Sequence, residues 1–310
     1  MNSKIGEPFK FHLSLNRNRE ALSIFRLPSF NLKRSFLLLE QILSSFFYMF
    51  ETVKKTTLLF VTILYCSIAC SQEKTTSFKE GEWLRFKMSY SGWMKAGNLT
   101  LAVEDTILNG KEVFHVIGKG NTSGIIKWFF KVNDTYQSYF DKKTGSPYLF
   151  KRNINEGGYK INRQINFNHL NHTATIQDFK LKTTDTISIG NIQDMMSSFY
   201  FLRNHDTHSL KPGDEITLPM FMDAQTTLFK LRFLGTEILK TRFGKIKTLR
   251  FNPLVQSGRV FKKNESVTIW ITADDNKIPI QMRASLAVGS LRAELDAYKG
   301  LSNSFKIMYD

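Results

Sequence analysis

From Phe78 onward, apolar and polar residues alternate with period two, the pattern of strands that bury one face. In Trp83–Tyr90, Leu84, Phe86, Met88 and Tyr90 fall on one face, while Arg85, Lys87 and Ser89 fall on the other. Leu99, Leu101 and Val103 repeat the pattern. Asn109-Gly110 then supplies the residues that tolerate the positive φ angles of a type I′ turn, with Val113–Ile117 as the return strand. The same pattern predicts strands near 125–132, 135–140, 147–153, 159–167 and 172–180. A later group is predicted near 215–221, 226–234, 246–252, 266–272, 278–287 and 291–298. Lys142–Pro147, Glu156-Gly157-Gly158, Pro212-Gly213-Asp214 and Asp274–Pro279 punctuate them as turns.

One segment departs from this period. In 192–203, Ile192, Met195, Phe199 and Leu202 recur at three- and four-residue spacing, which predicts a short helix with those side chains on its buried face. Asp194, near its start, is placed as an N-cap or a first-turn acid.

The stretches on either side of this helix correspond. Gly81-Glu82 recurs as Gly213-Asp214, Pro147 as Pro279 and Gly157 as Gly289, each displaced by 132 residues. Ser123-Gly124 followed by Phe130-Lys131 recurs as Ser257-Gly258 followed by Phe261-Lys262. These matches predict an internal duplication of two β units, about 78–180 and 211–301, joined by the helix. The expected fold is all-β, with large antiparallel sheets forming a sandwich or two partial barrels.

The N-terminal part has a different character. Lys54-Lys55 precede the apolar stretch Thr56–Ile68, and small residues follow, the pattern of a signal peptide over 49–71. The apolar stretch is too short to span a bilayer. Two processing routes remain open: secretion with cleavage before Cys70 or Gln72, or lipoprotein processing with Cys70 acylated. Residues 1–48 fit no targeting pattern and are expected to be a gene-model artefact, with translation starting at Met49. Residues 72–310 form the exported part.

Both cysteines, Cys66 and Cys70, lie in the export segment, so the exported fold has neither a disulfide nor a thiolate site. The whole chain has a net charge of +16. Nine Lys/Arg and four Asp/Glu lie up to Cys70, which leaves 34 basic and 23 acidic residues, a net of +11, in the remainder. Such a balance suits a negatively charged envelope surface, an anionic lipid or nucleic acid, although a solvated strand face is the preferred reading of these charges. The basic residues are scattered along strands with no nucleic-acid motif, so nucleic-acid binding is not expected.

No nucleophile elbow, P-loop, dinucleotide fingerprint or H-E-x-x-H motif is present. The pairs His169/His172 and His205/His208 have HxxH spacing. A strand would point the first pair to opposite faces, and the second falls in a polar loop, so neither is expected to hold a metal. Asp194 with Ser197 or Ser198 lacks a base partner, and capping accounts for it. Asp274-Asp275-Asn276 lacks the glycine and the later glutamate of a calcium loop, and a polar hairpin turn accounts for it. No catalytic, cofactor or metal residues are expected. The run Trp128-Phe129-Phe130 cannot face one core if extended. Either both faces of the strand are buried, the preferred reading, or an aromatic lines a cavity or makes an exposed contact.

Three groups of residues carry a resemblance to a known family. They are Gly81-Glu-x-Leu-x-Phe-x-x-Ser-Tyr90 with Lys95-Ala-Gly97, Gln193-Asp-x-x-Ser-x-x-Tyr200-x-Leu-Arg203, and Trp270-Ile-x-x-Asp-Asp-Asn276-x-x-Pro279. Together the chain resembles the exported Gram-negative proteins catalogued as domain of unknown function number 3108. The resemblance implies a largely β envelope protein with a signal peptide, and no activity. The expectation is therefore a non-enzymatic protein of the periplasm or outer membrane that binds or carries an apolar or amphipathic, lipid-like ligand. The alternative is a structural or assembly factor acting through contacts with an envelope protein.

Overall fold

A computed structural model describes residues 45, 48, 49, 51–61, 76–254, 267–286 and 288–308. The chain divides into two units, Met1–Glu73 and Lys74–Asp310. In the first, residues 51–61 form an exposed helix, α1. No helix among the described residues is long and apolar enough to cross a membrane. Cys70, both cleavage points and the Ser257-Gly258 match lie outside the described residues.

The second unit is antiparallel β. The chain runs through β1 (Trp83–Tyr90), β2 (Met94–Leu108), β3 (Lys111–Thr122), the short helical turn α2 (Ile126–Phe129), β4 (Asn133–Asp141), β5 (Pro147–Glu156), β6 (Tyr159–Asn168), β7 (Thr173–Asp178) and β8 (Thr183–Ser188). After α3 (Met195–Arg203) come β9 (Glu215–Met222), β10 (Gln225–Thr241), β11 (Gly244–Pro253), β12 (Val267–Thr272), β13 (Pro279–Ser285) and β14 (Ser290–Lys299). All fourteen strands join in one sheet, ordered β8 to β1 and then β14 to β9. Two meanders thus meet edge to edge through β1 and β14. The choice between a sandwich and two partial barrels resolves into one curled sheet, open between β8 and β9.

Alternation sets the inward face. Leu84 and Phe86 are buried, whereas Arg85 and Lys87 reach outward to pair with Asp296. Inward residues of both meanders gather in one core with α3, including Phe140, Phe150, Ile165, Phe221, Ile246 and Leu295. Phe167 of β6 meets Phe221 of β9 edge to face at 5.7 Å, bringing the two wings of the sheet together around the helix. The Asn109-Gly110 turn has both residues at positive φ, 51° and 78°, as a type I′ turn requires.

The meanders match in detail. The Gly81 N–H donates to the Val103 carbonyl at 2.9 Å, and the Gly213 N–H to the Phe233 carbonyl at 2.8 Å. Both proline-bearing turns join the fourth strand of a meander to its fifth. Each proline pairs beside a register shift, Phe140 with Pro147 and Ile271 with Pro279, where a residue without an N–H leaves the ladder incomplete.

Four departures from the expected elements need correction. The strand expected at 125–132 is a loop carrying α2, and its aromatics face solvent. β8 was not expected, and β10 runs far beyond 234 because its exposed stretches carry little alternation. The helix begins at Met195, because Gln193 instead bridges to Met220 of β9.

Gly97 shows why one of the shared motifs carries a glycine. A Cβ there would stand 2.1 Å from the Asn121 carbonyl oxygen, which is backbone and cannot swing aside. Gly97→Ala should therefore force β2 and β3 apart and lower stability by roughly 1–3 kcal/mol. A thermal melt within error of the native protein would refute this.

Candidate ligand-binding site

Helix α3 is held at both ends by buried polar groups. At its start, Asp194 Oδ1 accepts from the N–H groups of Met196 (2.7 Å) and Ser197 (2.8 Å), and the Asp194 N–H donates to Ser197 Oγ at 2.9 Å. This reciprocal arrangement is a capping box. Ser138 Oγ of β4 donates to Asp194 Oδ2 at 2.5 Å, tying the cap to the first meander. The carboxyl group is fully enclosed, and burial pushes it up from 3.8 to about 6, against the pull of these hydrogen bonds.

At the other end, Arg203 donates from Nη1 and Nη2 to both oxygens of Glu82, at 2.6 and 2.7 Å. It also donates to the carbonyls of Ser77 (2.8 Å) and Asn276 (3.0 Å). The Arg203 and Glu82 side chains are only 2% and 0% exposed, so water contributes almost nothing to this pair. The guanidinium also lies 5.3 Å from the Tyr200 ring centroid and 5.5 Å from that of Phe78. Asn276 continues the network, donating to the carbonyls of Asn303 and Ser304. Residues quoted from three distant motifs, Glu82, Arg203 and Asn276, thus meet in one buried cluster.

Between these anchors the helix has two unequal faces. Met196 and Tyr200 are fully packed against Phe78 and the first meander. The periodic residues Met195, Phe199 and Leu202 do face inward, as expected, but are only half-buried. They front a cavity of about 310 Å³. Its opposite wall is the second meander: Ile216, Met220 and Met222 of β9, Phe229 and Leu231 of β10, and Ile271 of β12. The lining is nearly all aliphatic, aromatic or thioether.

Its polar members are Ser198, Arg203, Thr207 and Lys277. Arg203 is committed to Glu82. Lys277 sits in the β12–β13 turn with φ at 45° and is half-buried. Its ammonium forms no hydrogen bond or ion pair among the described residues. Burial holds it below the ordinary lysine range, while Asp275 and Asp206 pull it back up. The arrangement is an apolar slot with a cation in its wall.

The residues singled out from the sequence lie elsewhere. Trp128 and Phe129 stand on α2 with 89% and 83% of their surface exposed, and Phe130 is exposed beside them. This overturns burial on both faces; the three aromatics protrude because the β3–β4 loop turns helically instead of extending. None of them lines the cavity. His169 and His172 occupy the β6–β7 turn, where His169 Nε2 bonds to the Pro147 carbonyl at 2.7 Å. His205 and His208 follow α3. Among the described residues no group of three or more His, Cys, Asp and Glu could hold a metal. Asp274 accepts from Thr272 Oγ1 and the Asn276 N–H, as a structural turn residue. Sequence reasoning missed Lys277, Met220, Met222 and Phe229. They become neighbours only through the curl of the sheet, and no local spacing signals it.

No curated protein matches the chain. Among solved structures, a β-barrel-like protein of domain of unknown function DUF1849 from Brucella abortus is 9% identical, with a TM-score of 0.48 over 71% of this chain and 98% of that one. A Bacteroides fragilis protein described as exported and YmcC-like in fold is 9% identical, with a TM-score of 0.31 over 73% of this chain and 98% of that one. A Parabacteroides distasonis protein described as a lipoprotein is 12% identical, with a TM-score of 0.29 over 74% of this chain and all of that one. The family described as protein of unknown function DUF3108 matches residues 85–296, well over half of the chain. That span takes in most of both meanders together with Asp194, Arg203 and Asn276, and the chain belongs to the DUF3108 family.

Proposed function

We propose that the protein is a non-enzymatic binding protein of the cell envelope that takes an apolar or amphipathic ligand between α3 and β9–β12. The observation that carries this reading is the cavity itself. Its space of about 310 Å³ is lined mainly by Met, Phe, Leu and Ile with a few polar groups, the character of a site for an apolar ligand. The unpaired Lys277 favours an acidic head group on that ligand. The signal sequence over 49–71 supports placement in the periplasm or at the outer membrane. Secretion with cleavage and acylation of Cys70 both fit it. The matched strand order and turn placement of the two meanders support descent from one duplicated unit.

Titration with cis-parinaric acid, a fluorescent fatty acid, tests the reading. Binding is expected for the native protein. Leu231→Trp, which fills the slot, should weaken it at least about tenfold. Lys277→Met should weaken the fatty acid while sparing the uncharged probe N-phenyl-1-naphthylamine. Equal binding of both probes by native protein and Leu231→Trp would refute the site. The alternative, strand addition at an open edge, has a structural opening at β8. That strand is short, polar and carries Asp185, features that discourage pairing with another chain.

A further inference from the structure

In a meander, alternate turns fall at opposite ends of the sheet. Register places the β1–β2, β3–β4, β5–β6, β7–β8 and β13–β14 turns together at one end: Tyr90 opposes both Met94 and Leu291, Gly97 opposes Thr122, and Glu156 opposes Tyr159. The exposed aromatics of the sheet unit are concentrated there. Six of its seven, namely Trp93, Trp128, Phe129, Phe130, Tyr159 and Phe179, lie on this rim among the described residues; the seventh, Phe201, is on α3. Leu181 and Val288 add exposed aliphatic surface to the β7–β8 and β13–β14 turns. The turns of the opposite end are polar, with Asn109-Gly110, Lys142–Ser146 and Asn171-His172, and the exposed large apolar residues beside them among the described residues, Ile107 and Leu170, are aliphatic.

Charge follows the aromatics. Lys95, Lys127, Lys131, Lys160, Lys180 and Lys182 border the same turns, are exposed, and form no ion pair among the described residues. The rim's acids are largely spoken for. Asp178 is buried against Arg163 at 2.9 Å, Asp223 pairs with Arg152 at 2.6 Å, and Glu156 is half-buried beside Asp134. The most prominent group is also held in place. Phe130 lies against Gly157, where a Cβ would come within 2.6 Å of its ring, and the Gly157 N–H donates to the Lys131 carbonyl at 2.9 Å. Trp128 and Phe129 are therefore presented outward on a fixed support, and little ordering cost remains when they bind.

Tryptophan, tyrosine and phenylalanine interleaved with lysine suit the zone between acyl chains and head groups. There the rings enter the apolar boundary and the ammonium groups meet lipid phosphates. We propose that this hairpin rim docks on the surface of a bilayer containing anionic lipid. The contact is independent of the cavity, although Met222 of the cavity wall ends at the same rim.

Vesicles of phosphatidylethanolamine and phosphatidylglycerol, with and without a lipid brominated near the head group, test the proposal. Trp93 and Trp128 are exposed on the rim, whereas Trp83 and Trp270 lie half-buried on strands. Brominated lipid is expected to quench the native protein and not the Trp93→Phe/Trp128→Phe variant. This readout reports where the rim sits, whatever else brings the chain to the vesicle. Trp128→Ser/Phe129→Ser should lower the partition coefficient roughly tenfold with an unchanged circular dichroism spectrum. Replacing Lys127, Lys131, Lys180 and Lys182 by Gln should abolish the preference for phosphatidylglycerol over phosphatidylcholine. Native protein that binds without quenching, or does not bind, overturns the proposal. So does a rim variant that loses a protein partner while its vesicle binding is unchanged.

Discussion

Replacing Arg203 by Ala is expected to lower the free energy of unfolding by about 3–5 kcal/mol, among the largest effects of any single substitution in the sheet unit. The guanidinium is enclosed and joins three separate pieces of chain: Glu82 and Ser77 before β1, its own helix, and Asn276 in the β12–β13 turn. Its loss leaves the Glu82 carboxylate buried without a cation and two carbonyls short of a donor. Lysine is a poor substitute because one ammonium cannot reproduce the two-pronged contact. Arg203→Met/Glu82→Leu should recover much of the loss, since the penalty comes from the orphaned charge. Leu202→Ala, at a half-buried position, should cost clearly less than Arg203→Ala. Guanidinium unfolding of the single and double variants measures these terms. Single variants within 1 kcal/mol of the native protein would mean that water reaches the pair.

Asp194→Asn is expected to stabilise the protein relative to the native form as pH rises, by on the order of 3 kcal/mol across the window from about 4 to above 6. The sign follows from a folded-state pKa near 6 against an ordinary 3.8. The folded protein holds the proton more tightly than the unfolded chain does. Stability from the protonated carboxyl is thus fully present below the unfolded value and is lost as pH rises through the folded one. Asparagine keeps the acceptor oxygen for Met196 and Ser197, offers an amide toward Ser138 Oγ, and does not titrate. Denaturation midpoints of the two proteins, taken at unit steps from pH 4 to pH 7, should diverge and then run parallel. A constant difference would show that the capped carboxylate stays ionised throughout.

Much of the architecture was legible in local sequence. Alternation at Leu84-Arg85-Phe86-Lys87 found a strand because the sheet has a wet face and a dry one. Asn109-Gly110 and the two proline-bearing turns announced themselves because few residues tolerate those backbone conformations. Asp194 declared a helix start because its side chain can accept from the first free N–H groups of a helix. The misreadings share a different cause. Trp128-Phe129-Phe130 looked like a buried strand because apolar composition normally signals burial, and composition alone does not distinguish a core from a surface that awaits contact. The face of α3 carrying Met195, Phe199 and Leu202 was identified, but not that the sheet would stand back from it and leave a cavity. Glu82 and Arg203 are 121 residues apart, and only the curl of the sheet brings them together.

The pairing of β1 with β14 bears on how the chain comes to be folded. Trp83 opposes Lys299, so the first and last strands of the sheet close its middle. Every other strand pairs with a sequence neighbour, and those hairpins need little loop closure. The first meander, β1 to β8, can therefore assemble before β9 to β14 are in place, leaving one side of β1 without a partner for the whole of that interval. An unpaired strand is an invitation to the wrong neighbour. Truncation before Ser290 removes the shared partner of β1 and β13 and should yield aggregates instead of a smaller folded unit.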